Sequence, residues 1–251
     1  MEEVSLTMTD LGGRRVLITG AARRLGAVIA RTFAECGAAV VLHCFRSKDD
    51  AAALAAALPP CPAPLRHETV SCDLADLNSV REMAETLGPV DYLVNNAAMW
   101  IRGDAPQSEL ERQEAVNHLA PCELIRTLSR LRPPERVFSA VNILDAAVFV
   151  GSSPDTPYAA AKSALLRDTR GLALELAPHV RVNAVAPGPV FAPRELGSDG
   201  MKRTPGTLPL KRPVSPEDVA RAVVLLATSP SVTGAVLPVD CGQSLLLHPQ
   251  P

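Results

Sequence analysis

Aromatic side chains are scarce in this sequence. Its 251 residues include one Trp, two Tyr and five Phe, 3% of the chain, so each aromatic can be questioned individually. Cys-x-x-Cys pairs are missing: Cys36, Cys44, Cys61, Cys72, Cys122 and Cys241 are scattered. That argues against a disulfide framework and against a zinc pattern, and it favours reduced thiols in a cytoplasmic protein with no metal. No block of like charge stands out, with 25 Lys and Arg against 27 Asp and Glu and a net charge of −2. Neither nucleic acid nor an anionic membrane surface is therefore expected as a partner. The apolar runs are broken by Arg, Asp or Pro before about 18 residues, so no transmembrane helix is expected. The first ten residues, M-E-E-V-S-L-T-M-T-D, are acidic and have no apolar core, so they are not read as a signal peptide. Internal repeats and low-complexity segments are also absent.

What is present suits one α/β domain with a full core, since 47% of the residues are hydrophobic. The most informative stretch runs from Asp145 to Lys162. Tyr158 and Lys162 are four apart, so on a helix they share one face. An ammonium near a phenol favours the phenolate and lowers the tyrosine pKa, which would make Tyr158 a general acid near neutral pH. Asp145 ends an apolar run that reads as a strand, thirteen positions before Tyr158.

The rest of the chain alternates strand and helix. Arg15 to Thr19 is a short β-branched run ending at Gly20. A helical pattern follows from near Arg24 to Cys36, with Gly37 as its stop, and Ala38 to His43 is a second strand. Strand, glycine turn, helix and strand in about thirty residues is the dinucleotide-binding βαβ unit. Gly20 permits the tight turn, Gly26 lets the helix pack closely, and the helix N-terminus faces a pyrophosphate. After the second strand come Arg46 and Ser47 rather than an acidic residue. A guanidinium binds a 2′-phosphate bidentately, so NADPH is expected over NADH. Further strands are expected at Glu68 to Ser71, Val90 to Val94, Arg136 to Leu144, Val180 to Val185 and Val236 to Val239. Helices are expected at Asp49 to Leu58, Asp76 to Leu87, Glu109 to Leu131 and from Tyr158 to about Leu176, and a final one is capped by Ser215 to Asp218. The sum is a single doubly wound Rossmann domain over residues 14–247. It has a seven-stranded parallel sheet and an extension over residues 1–13. Residues 189–212 form a long polar loop, read as a lid. Trp100 lies just past the fourth strand, at the sheet edge where such folds bind ligands. A flat heteroaromatic ring stacked there and plain packing of the indole are both open readings.

These features resemble the short-chain dehydrogenase/reductases, from Arg14 to Leu246. The Tyr158/Lys162 pair, N-N-A-A at Asn95 to Ala98, and Pro187-Gly188 carry the likeness. T-G-A-A-R-R-L-G, H-C-F-R-S, Trp100 and Asp145 resemble the pteridine reductases within that family. Several departures stand out. The family's glycines are Arg24, Ala98 and Cys241 here, and its usual serine is Asp145.

The resemblance implies a set of roles. Gly20, Arg24, Leu25 and Gly26 line the pyrophosphate turn. Arg46 and Ser47 take the 2′-phosphate, and Asp73 and Leu74 border the adenine. Asn96, Ala97, Pro187 and Gly188 line the cofactor, with one of Asn95 and Asn96 structural. Asn117 bends its helix and relays protons to Lys162 through water. Lys162 holds the nicotinamide ribose, and Arg24 and Trp100 hold the substrate ring. Asp145 and Tyr158 deliver the proton. Family habit also implies a homotetramer.

An ionised carboxylate only accepts hydrogen bonds, so Asp145 suits a substrate with an N–H or a protonated nitrogen. The expected activity is NADPH-dependent reduction of a C=N bond in a pterin-like, dihydrobiopterin- or dihydrofolate-type ring. The rivals are a short-chain reductase of another imine or carbonyl, including 3-oxoacyl groups, and a non-catalytic NADPH-binding regulator.

Overall fold

The computed structural model describes residues 9–101, 104–149, 156–191 and 204–246. Most of the expected N-terminal extension and residues 192–203 of the expected lid lie outside them.

The strands are β1 (Arg15–Ile18), β2 (Ala39–Cys44), β3 (Glu68–Ser71), β4 (Tyr92–Asn95), β5 (Phe138–Ile143), β6 (Val180–Pro187) and β7 (Val236–Val239). The helices are α1 (Arg24–Glu35), α2 (Lys48–Ala57), α3 (Leu77–Leu87), α4 (Gln107–Glu114), α5 (Ala120–Leu131), α6 (Pro157–Glu175), α7 (Thr204–Thr207), α8 (Pro216–Thr228) and α9 (Gln243–Leu246). One seven-stranded sheet has the order β3-β2-β1-β4-β5-β6-β7, with every pairing parallel. This is the expected Rossmann architecture. The chain reverses its direction of winding between β1 and β4, and the crevice at their C-terminal ends is where such sheets bind ligands.

Both faces of the sheet are covered, which is why β1, β2 and β5 are buried at successive rather than alternate positions. The alternation shows instead in which layer each side chain enters. Val16 and Ile18 of β1, with Val40 and Leu42 of β2, join Ile29, Ala30 and Phe33 of α1 and Val219 and Val223 of α8. Leu17 and Val41, between them in sequence, join Val80 of α3 and Leu124, Ile125 and Leu128 of α5 on the other face. Burying a Leu or Ile of this kind stabilises by about 1.5–3 kcal/mol.

At the N-terminal edge the buried Asp91 carboxylate binds three partners: the Arg15 N–H (2.9 Å), Arg14 Nη1 (2.9 Å) and Arg136 Nη1 (3.0 Å). That pin joins the starts of β1, β4 and β5. β6 runs two residues beyond the expected Val185, because Pro187 sits at the strand end, where its missing N–H is tolerated.

The helix expected over 109–131 is not a single α-helix. A π-helical turn at Ala115–Leu119 separates α4 from α5. Pro121 has no N–H to give the carbonyl of Asn117 four residues earlier, and that breaks the α pattern at this point.

Candidate active site

The C-terminal ends of β1, β4 and β5 bring the site together. β5 ends at Ile143 and the chain passes through Asp145 into a 3-10 turn at Ala146–Phe149. α6 then opens with Pro157 and Tyr158, capped by Thr156, whose Oγ1 accepts the Ala159 N–H at 3.1 Å. The helix puts Lys162 one turn below Tyr158.

The Tyr158 hydroxyl donates toward Asp145 Oδ2 at 3.5 Å. Lys162, 2% exposed, places Nζ 5.9 Å from the Tyr158 ring centroid and donates to the Ile143 carbonyl at 2.7 Å. Burial pushes the Lys162 ammonium down to about 8, and Asp145 opposes that shift. The tyrosine differs from expectation. Its pKa is raised, first by burial and then by the negative charge of Asp145. The expected lowering does not occur in this geometry, because Lys162 is turned to a backbone carbonyl while the carboxylate faces the phenol.

The glycine turn is held from several sides. Gly20 adopts φ +62, and a Cβ there would lie 3.0 Å from Ala97 Cα. At Gly26 a Cβ would lie 2.2 Å from the Gly20 carbonyl oxygen, so the turn and the helix start fit only without side chains. The Gly20 N–H donates to His43 Nδ1 at 3.3 Å, and the Ala21 N–H to the His43 carbonyl at 2.9 Å. His43 Nε2 lies 3.2 Å from the Cys72 carbonyl. Accepting at Nδ1 assigns the ring proton to Nε2. Burial pushes His43 down to about 4, so it stays neutral and keeps this pattern. Sequence reasoning missed His43; its signal was a lone polar residue inside an apolar strand.

Asn95 is the structural asparagine. Its Nδ2 donates to Asn142 Oδ1 at 2.9 Å, and Asn142 donates to Thr169 Oγ1 at 2.9 Å, which ties β4 and β5 to α6. Asn96 directs its amide N–H groups to the Thr19 and Gly20 carbonyls, at 2.9 and 3.2 Å. It holds the turn rather than presenting its amide nitrogen to a ligand.

Arg24 begins α1 at φ +52, a left-handed angle that favours glycine. Its guanidinium stacks 5.1 Å from the Phe191 ring centroid. Arg46 is exposed after β2 and stacks at 5.0 Å on Phe45, and Ser47 is the N-cap of α2. Asp73 accepts the Ala75 N–H (3.0 Å) and Arg112 Nη2 (2.8 Å). Burial alone would raise its pKa, but these two partners, with Arg46, hold it below the usual carboxylate range. The adenine-facing acceptor expected at Asp73 is therefore already engaged within the chain. Leu74 is buried beneath it. Gly188 follows β6 so closely that a Cβ would lie 2.9 Å from Asp240 Cα.

Two amides grip the segment after β4. Asn117 Oδ1 accepts the Met99 N–H at 2.8 Å, and its Nδ2 donates to the Met99 carbonyl at 2.7 Å. Gln113, one turn earlier, accepts the Ile101 N–H at 2.6 Å. Between these anchored residues Trp100 stands 59% exposed. Gln113 was not singled out from the sequence, where it is one polar residue among several in E-R-Q-E.

Among the described residues, two clefts of about 330 and 460 Å³ lie on the opposite edge of the sheet, around Arg15, Pro64 and Asp91 and around Tyr92 and Arg181. Neither is lined by Asp145, Tyr158 or Lys162.

A reversed-order parallel sheet, a glycine turn at its switch point and a Tyr/Lys pair with a buried lysine beside it define a Rossmann-type oxidoreductase. Residues 20–244 match the family model described as enoyl-(acyl carrier protein) reductase, and the chain belongs to the short-chain dehydrogenase/reductases. It is 35% identical over 190 residues to carbonyl reductase family member 4 of Xenopus tropicalis, covering 71% of this chain and 79% of that one. It is 33% identical over 245 residues to L-xylulose reductase of Bos taurus, covering 92% and 97%. Among solved structures, FolM alternative dihydrofolate reductase 1 from Brucella canis, complexed with NADP, matches with a TM-score of 0.82 at 32% identity. That match covers 95% of this chain and 96% of the other. No helix among the described residues is long and apolar enough to cross a membrane.

Proposed function

We propose that this protein is an NADPH-dependent reductase of a C=N bond in a pterin-like ring of the dihydrobiopterin or dihydrofolate type. The observation that carries the reading is the Tyr158 hydroxyl directed at the Asp145 carboxylate, 3.5 Å away. A carbonyl substrate gains from a neutral donor at that position, whereas a carboxylate repels a developing alkoxide. A ring nitrogen is different. Asp145 accepts from its N–H or, once protonated, gives it a proton. Tyr158 stays protonated because burial and Asp145 raise its pKa, so it is the proton source next to that carboxylate.

The bound nicotinamide supplies the hydride. The residues present fit such a dinucleotide, since the turn at Gly20 and Gly26 is packed too closely for side chains and sets the N-terminus of α1 where a pyrophosphate would bind. Gly20, Leu25 and Gly26 hold the pyrophosphate, and Arg46 and Ser47 the 2′-phosphate. Asp73 and Leu74 border the adenine. Ala97, Pro187 and Gly188 line the cofactor, with Asn96 behind the turn, and Lys162 holds the ribose. The Asn117 carbonyl, released from α-helical pairing by Pro121, is the relay point toward Lys162. Arg24 and Trp100 hold the substrate ring, with stacking on the indole contributing about 0.5–1.5 kcal/mol beyond area burial. The similarity to an alternative dihydrofolate reductase complexed with NADP supports this reading, and we extend it to a homotetramer.

A second reading, reduction of a carbonyl, is favoured by the carbonyl and L-xylulose reductases among the relatives. NADPH oxidation is to be measured with 7,8-dihydrobiopterin, dihydrofolate, L-xylulose and an acetoacetyl thioester. Turnover of the pterins is expected. Turnover of only the sugar or the thioester transfers the assignment to the carbonyl class.

A further inference from the structure

His118, Cys122 and Asp168 meet on the side of the π-helical turn and α5 that faces α6. His118 Nε2 lies 2.7 Å from Asp168 Oδ2, and Cys122 Sγ lies 3.7 Å from the same oxygen. All three donor atoms fall within 4.8 Å of one another. Two of the donors are four apart on the α4–α5 helical run and the third comes from α6, fifty residues after His118. Local spacing therefore carries no zinc signature.

We propose that these three side chains form a structural site for a thiophilic divalent cation of the zinc type. In a tetrahedral zinc site, bond lengths of about 2.0–2.3 Å place neighbouring donors roughly 3.3–3.7 Å apart. The observed separations approach that triangle with shifts of about 1 Å, within reach of side-chain rotation. One imidazole, one thiolate and one carboxylate select zinc, or cobalt as its probe, over magnesium or calcium, which take oxygen ligands.

An independent observation supports the site. His118 is 8% exposed, and its other nitrogen, Nδ1, is buried without a hydrogen-bond partner. The nearest carboxylate oxygen, Glu114 Oε1, stands 3.7 Å away. Metal-ligating histidines characteristically direct their second nitrogen to a carboxylate. When the cation takes Nε2, the ring proton moves to Nδ1 and finds Glu114. The Cys122 thiol proton leaves to solvent. Asp168 is partly exposed, which leaves the fourth position to water. The cation would tie α6, the helix bearing Tyr158 and Lys162, to the turn bearing Asn117.

The test is a titration of the chelator-treated full-length protein with Co²⁺, read by absorbance, alongside the Cys122→Ser and Asp168→Asn variants. The wild type is expected to take one equivalent, with intense visible d–d bands and a near-ultraviolet thiolate-to-cobalt charge-transfer band. Cys122→Ser is expected to lose the charge-transfer band, and Glu114→Gln to bind about 10–100-fold more weakly. Zn²⁺ at a hundredfold excess over its Kd is expected to raise Tm by about 5–10 °C in the wild type but not in Asp168→Asn. Circular dichroism and NADPH binding control for folding of each variant. A wild type without the charge-transfer band, or a band that persists in Cys122→Ser, overturns the proposal.

Discussion

Gln113 and Asn117 stand one helical turn apart and hold the backbone on either side of Trp100: Asn117 grips Met99 at 2.7 and 2.8 Å, and Gln113 takes the Ile101 N–H at 2.6 Å. The helix thereby holds the backbone that carries the exposed indole. Gln113→Leu keeps much of the volume and leaves the Ile101 N–H unpaired, a cost of about 1–3 kcal/mol in stability. We expect KM for the ring substrate to rise by about tenfold while the Kd for NADPH holds, since about 1.4 kcal/mol of lost positioning is tenfold. Steady-state kinetics with NADPH fluorescence titration check this. An equal loss in NADPH affinity would assign Gln113 to general stability.

Asp145→Ser replaces a carboxylate by a hydroxyl donor beside Tyr158. Turnover of the C=N substrate is expected to fall by about 10²–10⁴-fold, the usual scale of a lost acid–base partner. Turnover of a simple diketone is expected to rise. Tyr158→Phe is expected to lose both activities. Equal pterin turnover by Asp145→Ser and the wild type would remove Asp145 from the chemistry.

Arg24 and Cys241 replace glycines of the resembled family, and both keep the backbone angle a glycine would choose, φ +52 and φ +54. A side chain in that region costs about 1–2 kcal/mol. Cys241→Gly is expected to raise stability by about 1 kcal/mol, read as an increase in the urea midpoint. Arg24→Gly is expected to relieve similar strain but to lose the stack on Phe191 and to raise KM for the ring substrate. A stabilised but kinetically silent Arg24→Gly would show that the arginine is only a solvated helix start.

Lys162 gives a pH signature. Its folded pKa is depressed to about 8 from 10.5, so between those values the unfolded chain binds more protons than the native one. Stability then rises with pH across that window. The penalty is fully present below about pH 8, with a ceiling on the order of 3 kcal/mol. Tyr158 acts oppositely: its folded pKa is raised above 10, so its contribution is lost as pH climbs past 10. Urea midpoints of the wild type and Lys162→Met, taken from pH 7.5 to 10, are expected to differ in slope, with the upward slope absent in the variant. Parallel curves would mean that the buried lysine stays charged through the backbone carbonyl it binds.

Arg46→Glu places a carboxylate where the 2′-phosphate is expected. NADPH binding should weaken by about 10–100-fold, the scale of a lost hydrogen bond to a charged group, while NADH binding improves. Unchanged affinities for both nucleotides would leave Arg46 as a surface cation stacked on Phe45.

Much of the frame was legible in the sequence because it depends on neighbours in the chain. Apolar runs marked the inner strands, the half-exposed edge strands β3 and β7 were marked by their place in the strand–helix alternation, and Ser215 capped α8 through contacts two and three residues away. The four-residue spacing of Tyr158 and Lys162 fixed their shared face, and Gly20 and Gly26 marked a turn that no side chain fits. Other features were decided only when distant segments met. Lys162 turned to Ile143 and Asp145 to Tyr158, so the tyrosine pKa moved up rather than down. His43 reached back 23 residues to Gly20, Asn96 reached 77 residues to Thr19, and Arg112 reached 39 residues to Asp73. Local propensity reports what a residue does to its own backbone. Hydrogen bonds between side chains and remote backbone, and the burial that shifts a pKa, depend on which elements the sheet order places side by side.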